Sequence, residues 1–247
     1  MTTIFSAEHG TDTGRDPLLL SHGYGSSSTM WDANLAALGA GRRVLVWDLP
    51  GHGHSGSPED PVDYSEATCI RHMTEILDNA GVARAVIGGL SLGGYLSLAF
   101  HLAHPDRVRA LLLFDTGPGF KRDDARQRWN DSAERRAVRL ERDGAAALGD
   151  SPEVRGSRQD PVGLARAARG TLTQKDARII RSLPTIAVPT LVVVGADDTN
   201  FRAAADYMSG TIPGAELAVI PDAGHAANID QPEAFNRTVV SFLDRLD

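Results

Sequence analysis

Short apolar runs alternate with amphipathic segments along most of this chain. The runs have the length of buried strands. They cover residues 17–21, 44–47, 86–90, 110–114, 189–195 and 217–220. Between them, apolar residues recur at helical spacing, as Ile70, Met73 and Leu77 do before Gly81. Apolar strands that take turns with helices predict an α/β fold, a doubly wound and mostly parallel sheet with helices on both faces.

Local signals mark the start of two helices. Asp63 and Glu66 have the spacing of a capping box, in which two side chains satisfy backbone N–H groups at a helix start. Pro232 and Glu233 are typical of a first helical turn, where an N–H group would have no partner within the helix. We therefore expect one helix to begin at Asp63 and the last helix to begin at Pro232.

Residues 119–185 interrupt the alternation, because they are rich in arginine and glutamate and contain no apolar run of strand length. Apolar residues near steps of four form one stripe on a charged helix. They are Ala125, Trp129, Ala133, Ala137 and Leu140. We predict a small helical cap over the sheet edge, inserted into a core of residues 1–118 and 186–247. A solvated helical linker is the alternative, but a tryptophan on the stripe indicates a covered surface.

Size and composition fit one globular domain with such an insertion. Of the 247 residues, 42% are hydrophobic and 23% are charged, which excludes disordered and fibrous classes. No run approaches the roughly 18 apolar residues that a membrane-spanning helix requires. Residues 1–15 lack the basic and then apolar pattern of a secretory signal, so we expect a cytoplasmic protein.

Charge and cysteine content narrow the expected partners. The net charge of −7 disfavours binding to nucleic acid or to an anionic membrane, because phosphate groups attract clustered positive charge. Cys69 is the only cysteine, which excludes an internal disulfide, and the histidines lack metal-ligand spacing. We expect a small-molecule substrate, no metal and no cofactor, and the sequence leaves the oligomeric state open.

Ser91 lies in a G-x-S-x-G sequence between a predicted strand and a predicted helix. Gly89 and Gly93 leave room for a turn so sharp that the serine sits on strained backbone above the sheet edge. The following helix begins near Leu92, so free backbone N–H groups lie near the serine hydroxyl. The motif predicts a nucleophilic serine, although the same residue types also occur in ordinary turns.

Acidic and histidine side chains follow two later strands. Asp197 and Asp198 come after the strand that ends at residue 195, and His225 follows the next one. The carboxyl ends of parallel strands meet at one sheet edge, so we expect these side chains to lie near Ser91. An imidazole can take the proton of a hydroxyl, and a buried carboxylate fixes the imidazole tautomer. The order serine, acid, histidine therefore predicts a catalytic triad.

Two backbone N–H groups are candidates to stabilise the oxyanion that forms when a hydroxyl attacks a carbonyl. The first belongs to Leu92, directly after the serine. The second belongs to Tyr24, in a loop that Gly23 and Gly25 make accessible. His22 is expected to support this loop rather than to react.

Five segments, in order along the chain, resemble the landmarks of the α/β-hydrolase family. They are residues 22–25 (HGYG), 48–55 (DLPGHGHS), 89–94 (GLSLGG), 195–198 (GADD) and 224–225 (GH). Residues 224–228 and 231–233 are also similar to esterases and enol-lactonases of aromatic catabolism. The resemblance implies the α/β-hydrolase fold and selects Asp198, three residues after the strand-ending glycine, as the acid. Asp115 is the alternative in a less common arrangement of the family.

The expected function is hydrolysis of a small carboxylic ester or lactone through an acyl-enzyme on Ser91. Two alternatives stay open: cleavage of a carbon–carbon bond in a diketone by the same triad, and a non-catalytic small-molecule receptor with this fold. Phe120, Trp129 and Phe201 are candidates for the substrate pocket. Several cap arginines are expected to face solvent, although one could reach inward to a substrate carboxylate. They are Arg126, Arg128, Arg135, Arg136 and Arg139.

Overall fold

The computed structural model describes residues 3–246, which contain one seven-stranded sheet. The strands are β1 (Ser6–Gly10), β2 (Leu18–Ser21), β3 (Arg43–Trp47), β4 (Ala85–Leu90), β5 (Val108–Phe114), β6 (Thr190–Gly195) and β7 (Glu216–Ile220). Their order in the sheet is β1-β3-β2-β4-β5-β6-β7, and every neighbouring pair except β1 and β3 is parallel. The prediction of a doubly wound, mostly parallel α/β fold is confirmed.

Helices cover both faces of this sheet. They are α1 (Asp32–Leu38), α2 (Glu66–Asn79), α3 (Leu92–Ala103), α4 (Asp123–Asp143), α5 (Pro161–Arg169), α6 (Arg178–Ser182), α7 (Arg202–Thr211), α8 (Ala227–Asp230) and α9 (Pro232–Leu243). Within residues 3–246, no helix combines the length and the apolar character needed to cross a bilayer.

Successive strand residues belong to two apolar layers, one on each face of the sheet. Leu19 of β2 lies in the layer that contains α2, α3 and α7, whereas Leu18 and Leu20 lie in the layer that contains α1 and α9. In the second layer, the fully buried rings of Phe114 in β5 and Phe235 in α9 meet edge to face at 4.8 Å. Burying such a ring stabilises a fold by about 1.5–3 kcal/mol relative to leaving it exposed, so this layer holds α9 on the sheet.

The edge strand β1 is not predicted by the hydrophobic pattern. Its residues alternate between exposed and half-buried and include no large apolar side chain. The strand pairs antiparallel with β3, from Ser6 opposite Trp47 to Gly10 opposite Arg43. Backbone hydrogen bonds to β3 therefore hold β1 in place, and such bonds leave no trace in the side-chain sequence.

The expected capping box at Asp63 is wrong. Asp60 caps a short 3₁₀ turn over Pro61–Tyr64, and Asp63 lies inside that turn. The chain then becomes extended at Ser65, whose Oγ accepts a hydrogen bond from the N–H of Thr68 at 3.1 Å. Ser65 is therefore the N-cap of α2, because the proline at position 61 starts a separate turn first.

The segment between β5 and β6 is helical and contains α4, α5 and α6. The helix α4 packs on α5 through a small apolar cluster in which Ala137 and Leu140 meet Leu164 and Ala168. The core therefore meets α4 mainly through α5 and the loops around it. We propose that residues 119–185 form a cap on the core.

Small residues let α5 lie directly on the core. A Cβ at Gly51 would stand 2.7 Å from the carbonyl oxygen of Gly163 in α5, so the two backbones touch. The hydroxyl of Tyr24 donates to the carbonyl of Leu164 at 2.7 Å. Thr171, just after α5, donates to the carbonyl of Tyr64 at 2.7 Å. The cap is thus hydrogen-bonded to two separate core loops.

Gly93 and Gly210 form a matched pair that tests the close packing under the serine turn. A Cβ at Gly93 would lie 2.1 Å from the carbonyl oxygen of Ser21, whereas one at Gly210 would meet nothing within 4 Å. Since the backbone of β2 cannot move aside cheaply, we expect Gly93→Ala to lower the free energy of unfolding by about 2–4 kcal/mol. Gly210→Ala should leave it unchanged or raise it by up to about 1 kcal/mol. Urea unfolding followed by circular dichroism measures both, and equal destabilisation by the two variants would contradict this account.

Candidate active site

Ser91 occupies the turn between β4 and α3. Its φ of 54° and ψ of −113° are outside the regions that residues with side chains favour, at a cost of about 1–3 kcal/mol. The N–H of Ser91 donates to the carbonyl of Phe114 at 2.9 Å, and the Thr116 hydroxyl donates to the carbonyl of Ser91 at 2.5 Å. A Cβ at Gly89 would lie 2.5 Å from the carbonyl carbon of Gly93. Only glycines therefore permit this turn, which holds the half-buried serine at the sheet edge.

Asp198 and His225 are joined by a hydrogen bond. Asp198 Oδ2 lies 2.7 Å from His225 Nδ1, and the carboxylate is buried whereas the imidazole is 30% exposed. Asp198 Oδ1 accepts weaker bonds from the N–H groups of Asn200 and Phe201, at 3.2 and 3.3 Å. The ring of Phe201 also stacks on the imidazole with 5.0 Å between centroids. Both side chains are held in place, and Nε2 is the imidazole nitrogen left for another partner.

The surroundings of His225 act on its pKa in opposite directions. Burial alone would lower the pKa, because a charged imidazolium is poorly solvated there. The hydrogen bond and the charge of Asp198 oppose burial, and the charges of Asp115 and Glu153 add to them. The pKa of His225 is therefore raised, which favours an imidazole that takes up a proton.

A cavity of about 620 Å³ opens above Ser91 and His225, within the size range of small-molecule sites. The aromatic residues expected in the pocket, Phe120, Trp129 and Phe201, all line it. The indole Nε1 of Trp129 donates to the carbonyl of Leu172 at 2.8 Å, so the polar edge of the ring is satisfied. The cavity wall therefore combines aromatic and aliphatic side chains with polar and charged ones, among them Arg136 and Glu153.

Ser91 and His225 line the same cavity, but among the residues that the structure describes no hydrogen bond joins the Ser91 hydroxyl to the imidazole. In free enzymes such bonds are often long and shorten only when substrate binds. In this structure the imidazole is therefore bonded to Asp198 through Nδ1, while its Nε2 is free to face the cavity that Ser91 lines.

Tyr24 and Leu92, the expected oxyanion donors, both line this cavity beside the serine turn. Leu92 is the first residue of α3, so its N–H has no acceptor within the helix. The loop that carries Tyr24 also lies close to the serine, since a Cβ added at Gly23 would lie 3.5 Å from the Cβ of Ser91. The two N–H groups come from separate loops that meet at the serine.

His22 supports the Tyr24 loop as a neutral side chain. Its Nε2 accepts a hydrogen bond from the N–H of Leu49 at 3.0 Å, so Nδ1 carries the proton and donates to the carbonyl of Gly23 at 2.7 Å. Burial lowers the pKa of His22, which keeps the ring uncharged. The side chain bridges two loops and does not line the cavity.

The two other candidate acids do not contact His225. Asp197 is exposed, and Asp115 is fully buried with its carboxylate on backbone N–H groups: that of Gly195 at 2.7 Å and that of Ala227 at 3.4 Å. Burial raises the pKa of Asp115 to about 7. Asp115 therefore braces the end of β6 against the loop that follows His225.

Three residues around the site are not predicted individually by the sequence. Thr116 follows the end of β5 and could have been found by the same strand-end rule as Ser91. Arg136 lines the cavity seven residues after Trp129, which places the two on one face of α4. Glu153 also lines the cavity, from an irregular loop with no periodic signal. Within residues 3–246, no cluster of three histidine, cysteine or acidic side chains could hold a metal ion.

The chain belongs to the alpha/beta hydrolase family, whose sequence pattern matches residues 18–238. A relative from Pseudomonas savastanoi pv. phaseolicola is 31% identical over 98% of this chain and 99% of its own, and is provisionally named a carbamate hydrolase. A Bacillus subtilis relative is 27% identical over 90% of this chain and 88% of its own. It is provisionally named 2-succinyl-6-hydroxy-2,4-cyclohexadiene-1-carboxylate synthase.

A solved structure of the enol-lactonase from Burkholderia xenovorans LB400 resembles this one. It superimposes with a TM-score of 0.77 at 28% identity, over 98% of this chain and 97% of the other. The names of these relatives cover more than one reaction, so family membership sets the fold and leaves the substrate to the site.

Replacing Asp115 tests the buried carboxyl beside the site. Because its pKa is raised from about 4 to about 7, the folded protein binds more protons than the unfolded chain between those pH values. The free energy of unfolding should therefore fall as pH rises through this window. We expect Asp115→Asn to remove that fall, so that from pH 5 to pH 8 the wild type loses on the order of 2–4 kcal/mol relative to the variant.

Chemical denaturation at several pH values measures this difference. Asp197→Asn, which removes an exposed carboxylate after the next strand, β6, is the control and should parallel the wild type. Parallel curves for Asp115→Asn and the wild type would show that Asp115 is ionised throughout.

Proposed function

We propose that this protein is a serine hydrolase that cleaves a small carboxylic ester or lactone. The observation that carries the proposal is the 2.7 Å bond between buried Asp198 and His225, on the wall of the cavity that also holds strained Ser91. A hydroxyl needs a base to become a nucleophile, and a buried carboxylate makes an imidazole a better base.

In the first step, the Ser91 oxygen attacks the substrate carbonyl carbon while His225 Nε2 takes the hydroxyl proton. The carbonyl oxygen gains negative charge and accepts hydrogen bonds from the N–H groups of Tyr24 and Leu92. Asp198 Oδ2 continues to accept the hydrogen bond from Nδ1–H of His225, and its negative charge stabilises the imidazolium. His225 then gives its proton to the leaving alcohol oxygen, and an acyl-enzyme remains on Ser91.

In the second step, His225 removes a proton from water, whose oxygen attacks the acyl carbon. The bond to Ser91 breaks, the serine oxygen regains a proton from His225, and the free acid leaves. The same groups therefore serve both halves of the reaction. For a lactone, the leaving alcohol stays attached to the acid, so the product is a single hydroxy or keto acid.

The names of the relatives support acyl chemistry. The Burkholderia protein is an enol-lactonase, and a carbamate also presents a carbonyl carbon to a nucleophile. The cavity volume of about 620 Å³ suits compounds of this size rather than a polymer.

Removing the nucleophile should abolish turnover. We expect Ser91→Ala to lower kcat for 4-nitrophenyl acetate or butyrate by about 10⁴-fold or more, because the variant lacks the hydroxyl that attacks the carbonyl carbon. Labelling with a fluorophosphonate probe should also be lost. Ser132→Ala, on the exposed face of α4, should be labelled like the wild type. Turnover by Ser91→Ala near the wild-type rate would refute the proposal.

The charge of Glu153 should be visible in the pH profile. kcat/KM falls at low pH as the imidazole of His225 becomes protonated, which gives the acid limb of the pH profile. For the wild type we expect the midpoint of this limb above pH 6.5, the ordinary pKa of histidine, because the pKa of His225 is raised. Glu153→Gln removes one of the negative charges that raise the pKa of His225. The limb should then move to lower pH by roughly a few tenths of a unit.

Glu233→Gln is the matched control, because this exposed residue at the start of α9 is not among the charges that act on His225. The measurement is kcat/KM from pH 5 to pH 9 at constant ionic strength. A limb that stays in place in Glu153→Gln, or that moves equally in both variants, would contradict the assigned role of Glu153.

A further inference from the structure

We propose that the substrate carries a carboxylate and that Arg136 of the cap binds it, so that the preferred substrates are acidic esters or lactones. The proposal rests on the serine hydrolase function and specifies the class of compound that the same site accepts. The guanidinium of Arg136 on the cavity wall supplies the positive charge that such a substrate requires.

Among the residues that the structure describes, Arg136 is the one arginine or lysine that lines the cavity. It is half-buried on α4, and its guanidinium carbon lies 5.3 Å from the centre of the Tyr24 ring. Within residues 3–246, no carboxylate lies within ion-pair distance of it. A guanidinium has five N–H donors and cannot become neutral, so an anion with two oxygens is its natural partner.

Several other charged residues of α4 and its surroundings are already engaged. Arg126 pairs with Asp123, Arg128 with Asp124, and Arg142 with Asp143. The acidic residues Glu134 and Glu141 of the same helix both pair with Arg169 of α5. Among the described residues, Arg135 and Arg139 of α4 also have no carboxylate within ion-pair distance, but both are exposed. Arg136 therefore differs from them in its half-buried place on the cavity wall.

Glu153 is the acidic group on the same cavity wall, and its position orients an anionic substrate. Its carboxylate accepts a hydrogen bond from the Ser151 hydroxyl at 2.7 Å, and its charge acts on His225. Glu153 and Arg136 do not form an ion pair. A substrate carboxylate is therefore repelled by Glu153 and attracted by Arg136, which favours one orientation of an anionic substrate in the cavity.

The distance between the Arg136 guanidinium and the proposed oxyanion donor suits a substrate whose carboxylate and reacting carbonyl are joined by a short chain. Arg136 contacts the ring of Tyr24, and the N–H of the same tyrosine is the proposed donor to the reacting carbonyl. The guanidinium and that N–H are therefore no more than roughly 10 Å apart. A short acyl chain or a small lactone ring places a carbonyl and a carboxylate within that span.

The test compares pairs of esters that differ in one charged group. 4-Nitrophenyl hydrogen glutarate and 4-nitrophenyl valerate share a leaving group, and only the first has an anionic acyl chain. In a second pair, 3-carboxyphenyl valerate and its methyl ester place the charge on the leaving group. For the wild type we expect kcat/KM for the anionic ester to exceed that for the neutral one by roughly tenfold to hundredfold in at least one pair.

Arg136→Gln should reduce that ratio to about one, and Arg136→Lys should keep part of it. Arg139→Gln, on the exposed face of the same helix, removes the same charge outside the cavity and should leave the ratio unchanged. Thermal unfolding of each variant shows whether α4 stays folded. A wild-type ratio near one in both pairs, with Ser91-dependent hydrolysis of valerate intact, overturns the carboxylate site and leaves the hydrolase proposal standing. An equal loss in the Arg136 and Arg139 variants also overturns it.

Binding of glutarate to the protein, measured by calorimetry, separates the two proposals. If no ester is hydrolysed and no probe labels Ser91, the hydrolase function fails, yet at least tenfold weaker glutarate binding in Arg136→Gln than in Arg139→Gln would still support the carboxylate site. Glutarate binding that is absent, or that is equal in these two variants, refutes it.

Discussion

Close contact between backbone segments under Ser91 is the constraint on which the site depends. At Gly89 and Gly93 an added Cβ would lie within 2.5 Å of neighbouring backbone atoms, so β2, β4 and α3 approach one another as far as atoms allow. This approach forces Ser91 to a positive φ, and the hydrogen bonds from its N–H and to its carbonyl keep it there. The packed sheet therefore offsets the backbone strain and holds the Ser91 hydroxyl at the sheet edge.

A second feature is the distribution of charge around His225. Two buried carboxyl groups lie near the imidazole: Asp198 bonds it directly, whereas Asp115 is tied to backbone N–H groups and has a raised pKa. Glu153 adds a negative charge from the cap, and Arg136 is the positive charge on the other part of the wall. Ser91, Asp198 and His225 thus come from the strand ends of the sheet, whereas Arg136 and Glu153 come from the segment between β5 and β6 and add charges of opposite sign to the cavity wall.

The sequence predicts the elements that have a local signal. Apolar runs indicate β2 to β6 because these strands are buried on both faces, and they also indicate β7, an edge strand that is only partly buried. The strand-end rule finds Ser91, Asp198 and His225. The sequence does not indicate β1, because the place of this strand depends on backbone pairing with β3. It also does not indicate that α2 has its N-cap at Ser65, because that start depends on the turn that begins at Pro61. The roles of Arg136 and Glu153 depend on how α4 and an irregular loop dock on the core, and helix periodicity does not encode such long-range contacts.

The hydrogen bond from Tyr24 to the carbonyl of Leu164 has a consequence for the evolution and engineering of this chain. The proposed oxyanion donor Tyr24 also anchors α5, so residues 119–185 replaced by those of a homologue would shift the Tyr24 loop unless they offered an acceptor at the position of the Leu164 carbonyl. Specificity and rate would then change together in chimeras. Grafts that begin after Thr171, beyond this tether, leave the two properties separable.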